Sequence, residues 1–138
     1  MGVPIELKEK RNKMLLQNKI KCNLCGDVLE SYHRHDFKMC SCQKCGVDGG
    51  IFYLRRLGNI EDYTDLSIKD DGKWLTRRKY LKWGANLDKD GNLLKETEWR
   101  RIKHLETSHI EAILRTQHIP QIYKETMEEE LKQRKYEQ

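Results

Sequence analysis

Apolar and polar positions change rhythm several times along the chain, and each change predicts a different element. Residues 4–19 read as a short helix, with Pro4 in its first turn and Leu7, Met14, Leu15 and Ile20 loosely periodic. From Lys21 to Gly58 the pattern shortens. Strand-like runs at 28–32, 37–39 and 51–57 alternate with turn signals, notably "CGD" and "VDGG". Residues 59–72 read as a loop or surface segment with one short strand. Next, "KWLTRRKYLKWG" and "LLKETEWRRIKHL" flank "ANLDKDGN". The Asp90-Gly91 pair is a hairpin turn signal, and Tyr80, Trp83, Leu93, Trp99 and Ile102 suit strands, so an antiparallel pair is expected. A helix through 95–105 is the competing reading.

The C-terminal pattern is helical. Ser108 and Glu111 form the S-x-x-E spacing of a capping box, ahead of Ile110, Ile113 and Leu114 on one face. This helix should stop near Gln117, because Pro120 biases its predecessor away from helix. A second helix follows, with Tyr123, Met127 and Leu131 at four-residue intervals and the pairs Glu128–Lys132 and Glu130–Arg134.

The resulting expectation is an α+β protein in four stretches. Residues 1–20 form a basic helix or arm, and 21–58 a small zinc-ribbon-like β unit. Residues 59–106 form a loop with a β-hairpin extension, and 107–138 a C-terminal αα-hairpin.

Composition narrows the means of stabilisation. With 138 residues, 37% hydrophobic and 36% charged, the chain has about one domain's length and little material for a large core. Mean hydropathy is −0.89. A metal staple is expected to replace part of the core. No apolar run is long enough for a membrane span, and the first residues lack the apolar centre of a secretory signal, so a cytoplasmic protein is expected. In a reducing compartment, paired CxxC motifs are metal ligands before they are disulfides.

Cys22 and Cys25 of "KCNLCG" form the first pair. "KMCSCQKCG" offers three cysteines for the second. Spacing selects Cys42 and Cys45, giving C-x2-C on both sides and the ligand set Cys22, Cys25, Cys42 and Cys45. Two intervening residues let both sulfurs face one ion about 2.3 Å away, and a following glycine accepts the left-handed turn. Four thiolates would saturate Zn2+ and leave no position for a reacting water. Cys40-x-Cys42 is a rival second arm, with Cys40 as substitute for Cys45.

Other residues suggest binding. His33 and His35, two apart in "YHRHDF", would share a strand face and could bind phosphate together with Arg34, or act as ligands. Residues 73–104 hold ten Lys/Arg against four acids. Trp74, Trp83 and Trp99, beside Arg77, Arg78, Lys82, Arg100 and Arg101, could stack nucleic-acid bases, or could be core tryptophans edged by cations. A nuclease using His35 is a further alternative. With no second histidine motif at suitable spacing, a non-enzymatic protein is expected.

"KCNLCGDVLES", "RHDFKMCSC", "VDGG..YLRR", "LKWG" and "HIEAILRTQHI…EEELKQR" resemble a family of small uncharacterised bacteriophage and prophage proteins, from about Lys21 onward. The resemblance implies a setting inside a bacterium and a binding role toward a host protein or defence component. It also implies a CxC second arm, Cys40 and Cys42, with the family's usual glycine after the second cysteine replaced by Gln43. Spacing and resemblance therefore favour different fourth ligands.

Overall fold

The computed structural model describes residues 14–137. The chain divides into two compact units, Met1–Asp71 and Gly72–Gln138. Both mix short sheets with turns or helices, and among the described residues the α-helices lie in the second. Among the described residues, no helix is long and apolar enough to cross a membrane.

The first unit is built on β1 (Leu15–Cys22), the centre of its larger sheet. β1 pairs antiparallel with β2 (Val28–Ser31), β6 (Tyr63–Asp65) and β7 (Ile68–Lys69). This overturns the expected helix over its described part; residues 1–13 lie outside the described residues. The period that counts is two. Leu16, Asn18, Ile20 and Cys22 are all buried; of the residues between them Lys21 is exposed and Lys19 half-buried, while Gln17, paired with Ile68 of β7, is buried too.

A second small sheet orders β3 (Lys38–Met39), β4 (Gly46–Asp48) and β5 (Arg55–Leu57). Ile20 of β1 and Val47 of β4 meet in one buried cluster with Cys22, Cys40 and Cys45, and Leu29 and Tyr63 close its edge. So little aliphatic material makes the cysteines themselves a large share of this core. A polar clamp adds to it. The buried Asn18 amide donates to the carbonyls of Asp48 and Gly50, each at 2.9 Å, and its Oδ1 accepts from Arg56.

Only part of "IFYLRRL" is strand, because residues 49–54 turn. A Cβ on Gly49 (φ +105°) would fall 2.0 Å from the Tyr53 carbonyl oxygen. One on Gly50 would fall 2.7 Å from the His33 backbone. The "VDGG" segment is thus a strand that ends in a close-packed turn.

The second unit starts with α1 (Trp74–Tyr80), where a strand arm was expected. Strand-compatible Trp74 and Tyr80 are overruled by tertiary ion pairs that this helix makes with the last one. β8 (Lys82–Leu87) and β9 (Leu93–Arg101) then form the expected antiparallel ribbon, with Gly91 left-handed in the turn (φ +85°). The competing helix over 95–105 is absent, apart from a single 3-10 turn at Ile102–His104.

α2 (Thr107–Thr116) and α3 (Gln121–Tyr136) follow. The capping box does not form: Glu106 is the N-cap, without a side-chain cap bond, and Ser108 already lies inside the first turn. Gln117 ends α2 as expected, and Pro120 caps α3. Ile122, Tyr123, Thr126, Met127 and Glu130 make the buried stripe of α3. Leu131 is only half-buried.

Candidate metal centre

Cys22 ends β1, and the chain turns back through Gly26, whose N–H bonds the Cys22 carbonyl at 2.9 Å with φ +81°. The backbone N–H groups of Cys25 and Leu24 donate to the Cys22 sulfur and lower its thiol pKa. This turn has the geometry expected of the first cysteine pair.

The second arm departs from the CxxCG spacing. Gly46 lies in β4, where a Cβ would meet Met39 Sδ at 2.5 Å and the Lys38 carbonyl at 3.0 Å. Its small size serves the close approach of β3, and no left-handed turn falls on it. That conformation falls on Gln43 (φ +62°), directly after Cys42. The turn is closed by Gln43 N–H to the Cys40 carbonyl at 2.9 Å, and Cys45 N–H donates to Cys40 Sγ at 3.4 Å.

The structure therefore gathers Cys22, Cys25, Cys40 and Cys42, with their sulfurs all within 4.8 Å of one another. Cys42 Sγ lies 3.6 Å from Cys22 Sγ and 3.4 Å from Cys40 Sγ. A tetrahedral ion with Zn–S bonds near 2.3 Å needs sulfurs about 3.8 Å apart, whereas a disulfide needs about 2.05 Å. All five cysteines are free thiols. The donor set fits one thiophilic ion.

Its electrostatics point the same way. Burial opposes ionisation of Cys40, but the N–H groups of Cys45 and Lys44 and the sulfurs of Cys42 and Cys22 bring its thiol down to about 6. At Cys42 the Lys44 N–H favours the thiolate, yet desolvation and the sulfurs of Cys40, Cys22 and Cys25 push it up to about 12. The thiol is thus favoured as an anion at Cys40 and disfavoured at Cys42 beside it, and a dication would relieve the repulsion between the two.

Cys45 packs against Cys22 and Cys40 but lies outside the group of four. It is fully buried, its thiol donates to the Asp62 carbonyl at 3.5 Å, and burial with the nearby Cys22 pushes it up to about 12. It packs as a core side chain. The fourth position chosen by spacing thus goes to Cys40.

Sequence reasoning missed Asp27. Its carboxylate accepts the Ser41 N–H at 2.7 Å and the Ser41 hydroxyl, tying the first turn to the residue between Cys40 and Cys42. The trace in sequence is the acid directly after Cys25-Gly26 and the serine inside CxC.

The other predicted residues are dispersed. His33 and His35 do not share a strand face, because the chain turns there and His35 is left-handed (φ +67°). His33 Nδ1 contacts the Arg34 carbonyl oxygen at 3.0 Å, His35 Nδ1 contacts the Tyr53 hydroxyl at 3.0 Å, and neither is in the cysteine cluster. Arg34 lies 4.8 Å over the Phe52 ring.

In the second unit, Arg78 binds the buried Glu130 through two nitrogens, at 2.7 and 3.1 Å, and lies 5.1 Å over Trp74. Arg77 pairs with Glu125 at 3.3 Å, and Trp83 meets Tyr123 edge-on at 5.2 Å. Those residues hold the unit together. Trp99, Arg100 and Arg101 line a groove, as do Lys82 and Trp83.

Fold and site together define a small α+β protein with a four-cysteine cluster able to hold a metal ion. A family profile described as a domain of unknown function (DUF7695) matches residues 14–58, which include all five cysteines. The match starts at Met14, ahead of Lys21, and so takes in β1. No curated protein and no solved structure matches the chain.

Proposed function

We propose that Cys22, Cys25, Cys40 and Cys42 hold a structural Zn2+ and that the protein is a non-catalytic binding module. Its setting, on the resemblance, is a bacteriophage or prophage gene acting in the bacterial cytoplasm, with a host protein or defence component as partner. The observation that carries this reading is the all-cysteine donor set. Four thiolates fill a tetrahedral ion and leave no site for substrate or water, so the ion folds the unit and performs no chemistry. The sulfur separations suit a single ion, because a multi-iron cluster would hold its thiolates farther apart.

Apolar side chains left outside the small core support a protein partner: Leu24, Phe37, Leu54 and Ile60 of the first unit are each half or more exposed. The nuclease alternative gains no support, since His35 is engaged with Tyr53 away from the cysteines.

Metal analysis of purified protein should give one zinc per chain, and chelation should melt the first unit. Iron, or no metal, would overturn the zinc assignment. Capture from a bacterial lysate should return one dominant protein that binds again when purified. Nucleic-acid cleavage with Mg2+ or Mn2+ that His35→Ala removes would replace this reading with the nuclease.

A further inference from the structure

Of the four clustered cysteines, Cys42 is exposed, Cys25 is half-buried, and Cys22 and Cys40 are buried. Residues 41–44 are all exposed around it, so a small solute from the solvent meets the Cys42 sulfur first. Two sulfurs lie close behind, Cys40 Sγ at 3.4 Å and Cys22 Sγ at 3.6 Å. A disulfide spans about 2.05 Å, so either pair would have to close by about 1.5 Å.

The two neighbours differ in what holds them. Cys22 ends β1, where it pairs with Tyr63 of β6, and its N–H donates to the Asp27 carbonyl at 2.8 Å. Bridging it to Cys42 would pull one arm of the cluster onto the other against that pairing. Cys40 and Cys42 share a single turn, closed by the Gln43 N–H to the Cys40 carbonyl at 2.9 Å. Their sulfurs can close by side-chain rotation within it. Cys45 is shut away from solvent, with its thiol donating to the Asp62 carbonyl at 3.5 Å.

We propose that Cys42 is a site of oxidation by peroxides and that Cys40 closes it into a disulfide, expelling the metal. This rests on the metal reading above and adds a redox control to it. The Cys42 sulfur attacks the peroxide O–O bond and becomes a sulfenic acid, while the other peroxide oxygen leaves as water. The Cys40 sulfur then attacks from the buried side. The S–S bond forms, the S–O bond breaks, and the second oxygen leaves as water on the exposed side. The peroxide takes two electrons from the two sulfurs. Two protons complete the waters, and they come from solvent when both sulfurs start as metal-bound thiolates.

Cys22 and Cys25 are then the two thiolates left, too few for a closed tetrahedral site, so the dication is lost. A bridge across one residue ties the second arm to itself and closes a very short loop, which adds little stability. Oxidation therefore unfastens the first unit, and a thiol reductant with zinc refastens it.

The test uses the zinc-loaded full chain and hydrogen peroxide. Zinc release, read with a chromogenic chelator, should accompany the loss of two thiols per zinc. Trypsin leaves Cys40 and Cys42 together in peptide 39–44, Cys22 and Cys25 in 22–34, and Cys45 in 45–55. After alkylation, peptide 39–44 should be unalkylated and lighter by two hydrogens, with the other cysteines alkylated. A 1,3-dione probe added during the reaction should label Cys42. Dithiothreitol followed by zinc should restore one zinc per chain and the original urea midpoint. Cys45→Ser should give the same bridge.

A bridge within peptide 22–34, or one joining two of the three peptides, would overturn the proposal. So would zinc release with Cys42 carried to the sulfinic acid and no bridge, or thiols that survive peroxide under conditions that oxidise free cysteine. A chain that carries no zinc at the outset would sink the metal reading alone, and the state of peptide 39–44 after peroxide would still decide this inference.

Discussion

Cys40 Sγ lies 3.4 Å from Cys42 Sγ, although only Ser41 separates the two residues. A strand would send side chains two apart along parallel lines. Here they converge because the left-handed Gln43 turns the chain and the Cys45 N–H holds the Cys40 sulfur. The residue that looked like a ligand by spacing contributes its backbone instead of its thiol.

Single Cys→Ser variants should separate these roles. Changing Cys22, Cys25, Cys40 or Cys42 should lower zinc content well below one per chain, because three thiolates hold the ion far less tightly. Cys45→Ser should keep one zinc and lose about 1–3 kcal/mol of stability, as a hydroxyl replaces a buried thiol. Metal analysis beside urea unfolding reads both. Zinc that goes with Cys45 and stays without Cys40 would restore the pair chosen by spacing.

Asp27 should matter to the metal without touching it. Its hydrogen bonds to Ser41 fix the second arm against the first. Asp27→Ala should weaken zinc affinity about 10–100-fold, the usual scale for a ligand-orienting partner, while stoichiometry stays at one. Competition with a chromogenic chelator measures it, and unchanged affinity would count against the latch.

Asn18→Leu should destabilise the first unit by about 2–3 kcal/mol. The Asp48 and Gly50 carbonyls and the Arg56 guanidinium would each lose a partner in a buried place. Asn18→Asp should also destabilise, since a carboxylate cannot donate to those carbonyls. Urea unfolding of both variants, with zinc present throughout, checks the clamp.

Glu130 is fully buried between Arg78 and Arg134. Glu130→Ala should cost about 3 kcal/mol, the low end for breaking a buried pair, because both arginines reach partly into solvent. Burial would raise its carboxyl, but the two arginines hold it below its ordinary 4.5. The folded-state pKa is thus below the unfolded one. The contribution is complete above pH 4.5 and is lost as pH falls through the lowered value. Between about pH 6 and pH 3 the wild-type protein should lose more stability than Glu130→Gln, as thermal unfolding at each pH would show.

By itself the sequence determined the elements whose signals are local. The Asp90-Gly91 turn between strand formers, the stop at Gln117 before Pro120, and the first cysteine turn with its left-handed Gly26 all depend on residues a few positions apart. Only the tertiary structure decided the rest. β1 is a strand because β2, β6 and β7 pair with it, and no local pattern announces β6 and β7, which lie far along the chain. Trp74–Tyr80 is a helix because Arg77 and Arg78 meet Glu125 and Glu130, far along the chain. Cys40 displaced Cys45 because β3 needs Gly46 as a close neighbour, which draws Cys45 inward and leaves the turn to Gln43. Spacing counts residues, whereas a metal site is chosen by where packing lets each sulfur point.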